Sequence, residues 1–433
     1  MVKKNIFRAT AVIALLLIFF VLFLAYRYNK SYNDVIHKDA KSIIKINVDG
    51  IYKSIAFNFL QNPGYYLSKN DKDDKLGEAK NGLSFPSNIF LFTINGMAND
   101  TFFGSLPLSN INDFRNYAKN KWNISKFEIK DGLLVGKNQN QKITIAIFKN
   151  RIAFSYSNKN EATFSILKDL LSRKNILAVD DIVLSKLKNN SDHLFYLYGK
   201  TKVFANFNAG NMTIGGLLPQ LHQNQQEIQF NPKSAVQFYI NAQLPSFGKS
   251  DFQIDNYSLK LDSISKYHNG LTTFELIKTT KQSDTVITYE YNDDFEKVEQ
   301  VTIKMVMVPE MVVTLKSNGI GLAKYLKSEG VLDYNNVLNK KVFPLYTTYA
   351  KFDTQNFSLS TSNEIKQQVV QKTKGTLYLK IDFNQLRQNK ELGLINRYLK
   401  PLQKLEVKTD NSGKLSGLMQ FNEPNINALL QLK

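Results

Sequence analysis

An uncharged apolar run near the start of the sequence limits what this chain can form more than any other feature. The run extends from Ala9 to Tyr26 and has basic residues on both sides, of which Arg8 and Arg27 are the nearest. At about 1.5 Å per residue, a helix over this run spans close to the roughly 30 Å hydrocarbon core of a bilayer. We therefore predict a single transmembrane helix over residues 9–26. Its anchoring side chains include Ala9, Leu15, Leu16, Phe19, Phe20, Leu24 and Tyr26.

The run matches a cleaved signal peptide poorly. Such a peptide has a shorter apolar core of about 7 to 15 residues and small residues at positions −3 and −1 of the cleavage site. Cleavage after Ala25 would place the bulky Phe23 at −3. Because the positive-inside rule counts the short tail, we expect residues 1–8 in the cytoplasm and the rest of the chain outside it.

The composition excludes several kinds of chemistry. The 433 residues include no cysteine, so disulfides, thiolate nucleophiles and cysteine-ligated metals are excluded. A cysteine-free exported chain that is rich in Asn and Lys is typical of a bacterial envelope, and we predict a single-pass protein of the bacterial cell membrane with a periplasmic body. The net charge of +19 favours anionic partners. The alternative is that the lysines are scattered over a solvated surface, since no compact basic block occurs.

Residue patterns divide the rest of the chain into a tether and two domains. Residues 27–41 are polar and aperiodic, residues 42–207 form a first α+β domain, and residues 208–232 are a linker or an inserted loop. Residues 233–433 form a second, β-rich α+β domain. In the first domain, Ile44 and Ile46 alternate with Lys45 and Asn47, which predicts a strand that buries its isoleucine face.

The second domain contains a series of short apolar runs separated by turn residues. We predict separate strands over 271–279, 285–291, 300–308 and 311–316, with turns at Asn292–Asp294 and at Pro309-Glu310. Helices are predicted over 51–60, 112–121, 161–172 and 320–328. Hairpin connections imply antiparallel sheets with helices packed on one face. The predicted fold is therefore α+β, a transmembrane helix followed by a β-rich body.

A Ser-Asn dipeptide recurs at three positions where a predicted strand leads into a helical segment. Ser157-Asn158, Ser317-Asn318 and Ser362-Asn363 each follow a strand, and Glu161 is placed to complete a capping box with Asn158. A further similarity relates the stretch 43–49 to 377–382. Two related halves are one explanation, and the general preference for Ser and Asn at such junctions is the other.

Several segments resemble uncharacterised bacterial envelope proteins of a domain-of-unknown-function group. The segments are Asp39-Ala40 with the following strand and Asp49, Gly82-Leu83-Ser84, the passage from Leu106 to Phe114, and 425–430. The resemblance covers most of residues 39–433 in outline and implies no activity, because members of the group have no assigned one. This chain differs from lipoprotein members by its apolar run and by its lack of cysteine.

No motif predicts catalysis, a cofactor or a metal. The four histidines, His37, His193, His222 and His268, lie far apart in the sequence, and Asp192-His193 is the most plausible catalytic pair among them. Gly319-x-Gly321 resembles a phosphate-binding turn without the third glycine. The acidic cluster Asp71, Asp73 and Asp74 lacks the glycine and glutamate of a calcium loop. We therefore predict a protein that is not an enzyme, without cofactors or catalytic and metal-binding residues.

The function predicted from these features is a non-enzymatic binding or scaffold role outside the cytoplasm. The alternative is a carrier for a lipid or another apolar envelope component, and a hydrolase built from distant carboxylates also stays open. The predicted partners are the bilayer, through the N-terminal helix, and an anionic envelope polymer or another envelope protein, but not nucleic acid. A carrier requires a large apolar cavity, whereas a scaffold requires a filled core and an exposed apolar or basic patch.

Overall fold

The computed structural model describes residues 19, 21–33, 35–68, 81–159, 161–219, 225–243, 251–254, 257–291, 296–364, 369–389 and 393–432. The chain divides into two compact units. Unit 1 comprises the residues up to Ala209 together with Asn425–Asn427, and unit 2 comprises Gly210–Pro424 and the residues from Ala428 onward.

Unit 1 is built on an antiparallel sheet whose strands follow the order β9-β8-β1-β2-β3-β7-β6-β5-β4. Tight turns connect several neighbours, and Asp131 (φ 50°) and Gly132 (φ 77°) form the turn between β4 and β5. The strands are β1 Ala40–Asn47, β2 Asn88–Ile94, β3 Phe102–Pro107, β4 Phe127–Lys130, β5 Leu133–Lys137, β6 Ile143–Phe148, β7 Arg151–Tyr156, β8 Leu194–Tyr198 and β9 Thr201–Phe207.

Helices cover the unit 1 sheet and complete two apolar clusters. One cluster contains Phe92 and Phe103 with the leucines of α5 and α6, and the other contains Phe114 with Ile145 and Ile152. The Asn110 side chain begins α4 by accepting the N–H groups of Asn112 and Asp113. The helices are α1 (residues 21–30), α2 Val48–Gln61, α3 Pro63–Ser68, α4 Ile111–Trp122, α5 Phe164–Ser172 and α6 Ile182–Lys188.

Unit 2 also contains an antiparallel sheet, with the strand order β10-β22-β21-β20-β12-β15-β16-β18-β17. Two further antiparallel pairs join β11 to β19 and β13 to β14. The strands are β10 Asn211–Leu217, β11 Glu227–Phe230, β12 Val236–Asn241, β13 Asp251–Ile254, β14 Tyr257–Lys260, β15 His268–Tyr291, β16 Lys297–Ser317, β17 Tyr349–Phe352, β18 Asn356–Ser360, β19 Val369–Lys372, β20 Leu377–Asp382, β21 Leu402–Thr409 and β22 Lys414–Phe421.

The helices of unit 2 are short, and α8 packs Leu322, Ala323 and Leu326 against Ala350 and Phe357 of the sheet. They are α7 Leu261–Tyr267, α8 Gly319–Ser328, α9 Phe383–Arg387, α10 Gly393–Leu399 and α11 Ala428–Gln431.

The predicted junction before α8 is confirmed. Asn318 is the N-cap, and its side-chain oxygen accepts the N–H of Gly321 at 3.0 Å. Gly319 is required because a Cβ there would lie 2.0 Å from the carbonyl oxygen of Asn356. These contacts account for Gly319-x-Gly321 as a capping turn, and the phosphate-binding interpretation gains no support.

Replacing Asn318 by alanine is expected to lower the free energy of unfolding of unit 2 by about 1 kcal/mol, because one N–H of the first turn loses its acceptor. Asn318→Asp retains an acceptor oxygen and is expected to lose much less. Chemical denaturation followed by circular dichroism measures both changes. Equal losses in the two variants would contradict a capping role.

The β-rich antiparallel body is confirmed, but the predicted transmembrane helix is not found. Among the described residues, no helix is both long enough and apolar enough to cross a membrane, so the predicted fold is wrong in this element. The described helix α1 continues past the apolar run to Arg27 and Lys30, whose charges are unfavourable in a membrane-spanning segment. Phe19, Leu24 and Tyr26 are exposed. The tail 1–8 and the predicted anchor residues Ala9, Leu15, Leu16 and Phe20 lie outside the described residues.

Two further expectations differ from the structure. The strand β1 buries Lys45 and Asn47 more completely than Ile44 and Ile46, the reverse of the predicted faces. Glu161 does not complete a capping box, since it accepts hydrogen bonds from the Ala98 N–H and the Thr101 hydroxyl instead. In both cases a polar side chain forms hydrogen bonds with residues that are distant in the sequence, and the local pattern does not reveal such bonds.

Candidate interaction surfaces

The hairpin of β15 and β16 extends far beyond its neighbours in the sheet. The strands have 24 and 21 residues, compared with the usual five or six. β12 pairs with β15 only from Leu271 to Leu276, and β18 pairs with β16 only from Val312 to Lys316. We call residues 279–291 and 297–309 the ribbon. Within the described residues, these two segments pair as strands only with each other.

A row of apolar side chains lies on one face of the ribbon. Val301, Ile303, Met305 and Met307 alternate along β16 and therefore share a face. Each is between 44% and 72% exposed. Alternation of this kind normally directs the apolar face of a strand toward a core, so a row exposed in a folded unit indicates a contact surface.

Charged residues lie at both ends of this row. Lys281 is directly opposite Met307 near the base of the ribbon, and Glu299 is opposite Tyr289 near its far end. All three of Lys281, Glu299 and Tyr289 are exposed. The ribbon itself has three acidic and three basic side chains, so it carries no net charge in a chain of net charge +19.

The base of the ribbon is fixed by Gln282, which is buried. Its side-chain amide donates to the carbonyl oxygens of Thr347 and Thr361, both at 2.6 Å. Its side-chain oxygen accepts the N–H of Thr347 at 3.0 Å. Because both amide hydrogens and the oxygen are used, this side chain holds the ribbon in one orientation within unit 2.

A second exposed apolar surface lies on unit 1. Four large side chains of α2 and one of α3 are between 38% and 75% exposed. We call this set the helical face, and it consists of Tyr52, Phe57, Phe59, Leu60 and Leu67.

Polar bonds hold the inner side of α2, which leaves the apolar side chains outside. Asn47 caps the helix by accepting the N–H of Gly50 at 2.9 Å. Asn58 is buried, donates to the carbonyl of Asn425 at 2.8 Å and accepts the N–H of Asn427 at 2.9 Å. A helix with several large apolar residues on its solvent side is unusual, and such a patch is typical of an interaction surface.

An ion pair connects the end of α1 to the start of α2. The guanidinium of Arg27 pairs with the carboxylate of Asp49 at 2.7 Å and also donates to the carbonyl of Phe85 at 3.3 Å. Arg27 directly follows the apolar run of the sequence. The segment leading out of that run is therefore fixed beside the first turn of α2.

The described clefts are small. In unit 2, a cleft of about 390 Å³ has Thr273, Thr314 and Ser358 side by side on its floor, and the buried Glu275 next to them accepts the N–H of Asn231 at 2.6 Å. In unit 1, a cleft of about 450 Å³ lies beside His193 at the start of α2. Both have mixed polar and apolar linings, whereas a lipid carrier requires an apolar cavity.

The predicted pair Asp192-His193 does not form an acid–base dyad. His193 Nδ1 accepts the N–H of Phe207 at 3.0 Å. The two oxygens of Asp192 accept from the side chains of Asn206 at 2.6 Å and Asn190 at 2.5 Å. Burial lowers the pKa of His193, and the charge of Asp192 partly offsets this. The pair therefore connects loops rather than positioning a nucleophile.

The structure does not bring the other candidate histidines together into a catalytic or metal-binding group. His37 contacts Asp169 at 3.4 Å, and burial lowers the pKa of His268. The described part of the chain has no group of three or more His, Asp or Glu side chains that could hold a metal. His222 and the acidic cluster at 71–74 lie outside the described residues.

Sequence reasoning missed a buried lysine in unit 1. Lys45 is 0% exposed, and its ammonium donates to the carbonyls of Leu187, at 2.8 Å, and of Asn190, near the end of α6. It also lies 5.8 Å from the centre of the Tyr32 ring. Burial lowers the pKa of Lys45 to about 8, and Asp192 opposes this shift. Helix C-termini favour cations, which explains how a buried lysine is accommodated.

Comparison with known proteins does not identify a family. No family model matches the sequence. No curated protein matches it either. Crystal form I of TP0453 is similar over 43% of this chain and 77% of that chain, with 8% identity and a TM-score of 0.27. Crystal form III of TP0453 gives 8% identity and a TM-score of 0.27, over 43% and 78% of the two chains. With scores this low, the similarity carries no argument about fold or function.

Proposed function

We propose that this chain is a non-enzymatic binding protein of the bacterial envelope that lies against a lipid surface through the helical face of unit 1. The observation that carries this proposal is the exposure of Tyr52, Phe57, Phe59 and Leu60 on a helix whose inner side is held by polar bonds. Helices that lie in the membrane interface present aromatic and leucine side chains to the acyl chains in this way.

Two features favour lipid over protein as the partner of this face. Lys53 and a net charge of +19 suit anionic headgroups. Tyrosine and phenylalanine at the edge of an apolar segment are typical of the boundary between headgroups and acyl chains. The location in the bacterial envelope is also proposed, and its support is the cysteine-free composition rich in Asn and Lys.

The carrier alternative is less well supported, because the described clefts are small and partly polar. We also propose that the chain has no catalytic activity. The hydrogen bonds that occupy both Asp192 and His193 Nδ1 support this.

The lack of cysteine allows a direct test with single labels on the full chain. Leu60→Cys carries an environment-sensitive fluorophore, and the control is Asn116→Cys on the exposed side of α4. With phosphatidylcholine and phosphatidylglycerol vesicles, the emission at position 60 is expected to shift to shorter wavelength and its quenching by aqueous iodide to fall several-fold. The label at position 116 is expected to change little.

The readout is local, so it does not depend on how much the apolar run contributes to vesicle binding. If vesicle-bound chain shows equal quenching at positions 60 and 116, the helical face does not contact lipid and the proposal fails. Failure to bind vesicles at all leads to the same conclusion.

A further inference from the structure

We propose that the ribbon of unit 2 packs face to face on the ribbon of a second copy of this chain, around a two-fold axis at Ile303. This inference is independent of the proposed contact with lipid, because it rests on other residues in the other unit. The exposed row of Val301, Ile303, Met305 and Met307 supplies the apolar centre of the contact.

The register of the two strands makes this face complementary to itself. Lys281 lies at the level of Met307, Ser283 at the level of Met305, and Tyr289 at the level of Glu299. Ile303 is midway between the levels of Lys281 and Glu299. A two-fold axis that passes Ile303 at right angles to the strands reverses the strand direction in the second copy. It therefore places Met305 against Val301 of that copy.

The same reversal brings Lys281 of one copy to the level of Glu299 of the other, one strand across. These levels are eight residues apart along the strand, or about 27 Å at about 3.4 Å per residue, so the two side chains cannot meet within one ribbon. A two-fold contact repeats each pair, which gives an apolar centre with an opposite-charge pair at both ends. Faces of twisted β-structure pack in this manner at an angle of about 30°.

Charge distinguishes a second copy from a lipid surface as the occupant. The ribbon has no net positive charge to attract anionic headgroups, and such headgroups repel its exposed Glu299. A second copy supplies Lys281 at the position that Glu299 reaches.

Cysteine cross-linking tests the position of the axis on the full chain. A residue on a two-fold axis meets its own counterpart, and a disulfide needs Cβ atoms about 3.5–4.5 Å apart. Ile303→Cys is therefore expected to form a disulfide-linked dimer under mild oxidation. The matched control is the exposed Thr302→Cys, on the opposite face of β16, which is expected to cross-link at least about tenfold more slowly. Equal rates at positions 302 and 303 would overturn the proposal.

Charge reversal tests the ends of the contact. Lys281→Glu and Glu299→Lys each place like charges at two sites and are expected to weaken dimerisation about three- to tenfold, measured by sedimentation over a range of concentrations. The double variant restores opposite charges at both sites and is expected to return close to the original affinity. A double variant as weak as the single ones contradicts the antiparallel arrangement. An unaltered chain that stays monomeric at every concentration contradicts the contact itself.

Discussion

Replacing Phe103 by alanine lowers the free energy of unfolding of unit 1 by about 3–5 kcal/mol. Phe103 on β3 is 0% exposed, and its ring stacks on that of Phe92 with centres 6.0 Å apart. Removal of the ring leaves a cavity among strands that are hydrogen-bonded on both sides, which limits how far the neighbours can move in to fill it.

Because the chain has a single tryptophan, the loss of stability can be measured for unit 1 alone. The chain has one tryptophan, Trp122 at the end of α4, which packs against Phe114 and Tyr117 in unit 1. Its fluorescence during urea denaturation therefore follows the unfolding of unit 1. The exposed Phe148→Ala is the control and is expected to change stability by less than about 1 kcal/mol. A similar small loss for Phe103→Ala would show that the space around the ring is not tightly packed.

The stability of unit 1 is expected to increase as the pH rises from about 8 to about 10.5, by about 3 kcal/mol from Lys45 alone. The pKa of Lys45 is lowered from 10.5 to about 8 by burial. In this window the unfolded chain keeps the proton that the folded chain has released, so the unfolded state binds more protons and stability rises with pH. Below about pH 8 both states are protonated and the full cost of burying the charge remains.

Comparison with Lys45→Met isolates this contribution, since methionine fills a similar volume and does not titrate. The difference in unfolding free energy between the two proteins, followed by Trp122 fluorescence, is expected to shift by about 2.4 kcal/mol between about pH 7.5 and pH 10. A constant difference across this range would mean that the folded chain keeps the Lys45 proton through its bonds to the carbonyls of Leu187 and Asn190.

The two proposed contacts differ in charge as well as in residue type. The helical face has aromatic and leucine side chains and lies beside Lys53 and Arg27. The ribbon has branched and thioether side chains and no net charge. Salt is therefore expected to weaken vesicle binding through the screening of headgroup attraction, and to weaken dimerisation only through the pairs at the ends of the row.

Local sequence patterns were sufficient for four of the described helices, α2, α4, α5 and α8. The predicted helix 112–121 is α4, and the predicted helix 320–328 is α8 with its Asn318 cap. Such elements depend on apolar spacing and on a capping side chain within the same few residues, so the sequence contains the information directly. The turn at Asp131-Gly132 is likewise set by residues that tolerate a positive φ.

The sequence by itself determined the strand-rich antiparallel body and the lack of cysteine chemistry, because alternation, turn residues and composition are local properties. The tertiary structure decided which groups are buried and how long the strands are. Pro309 indicated a turn, but it lies within β16 at a bulge where two residues of β15 oppose Glu310, so the four predicted strands became the two long strands β15 and β16. The face of β1 was reversed because the end of α6 supplies carbonyl acceptors to Lys45 from more than 140 residues away. Hydrogen-bond partners at such separations are fixed only when the chain folds, and this is why both proposed surfaces were found in the structure and not in the sequence.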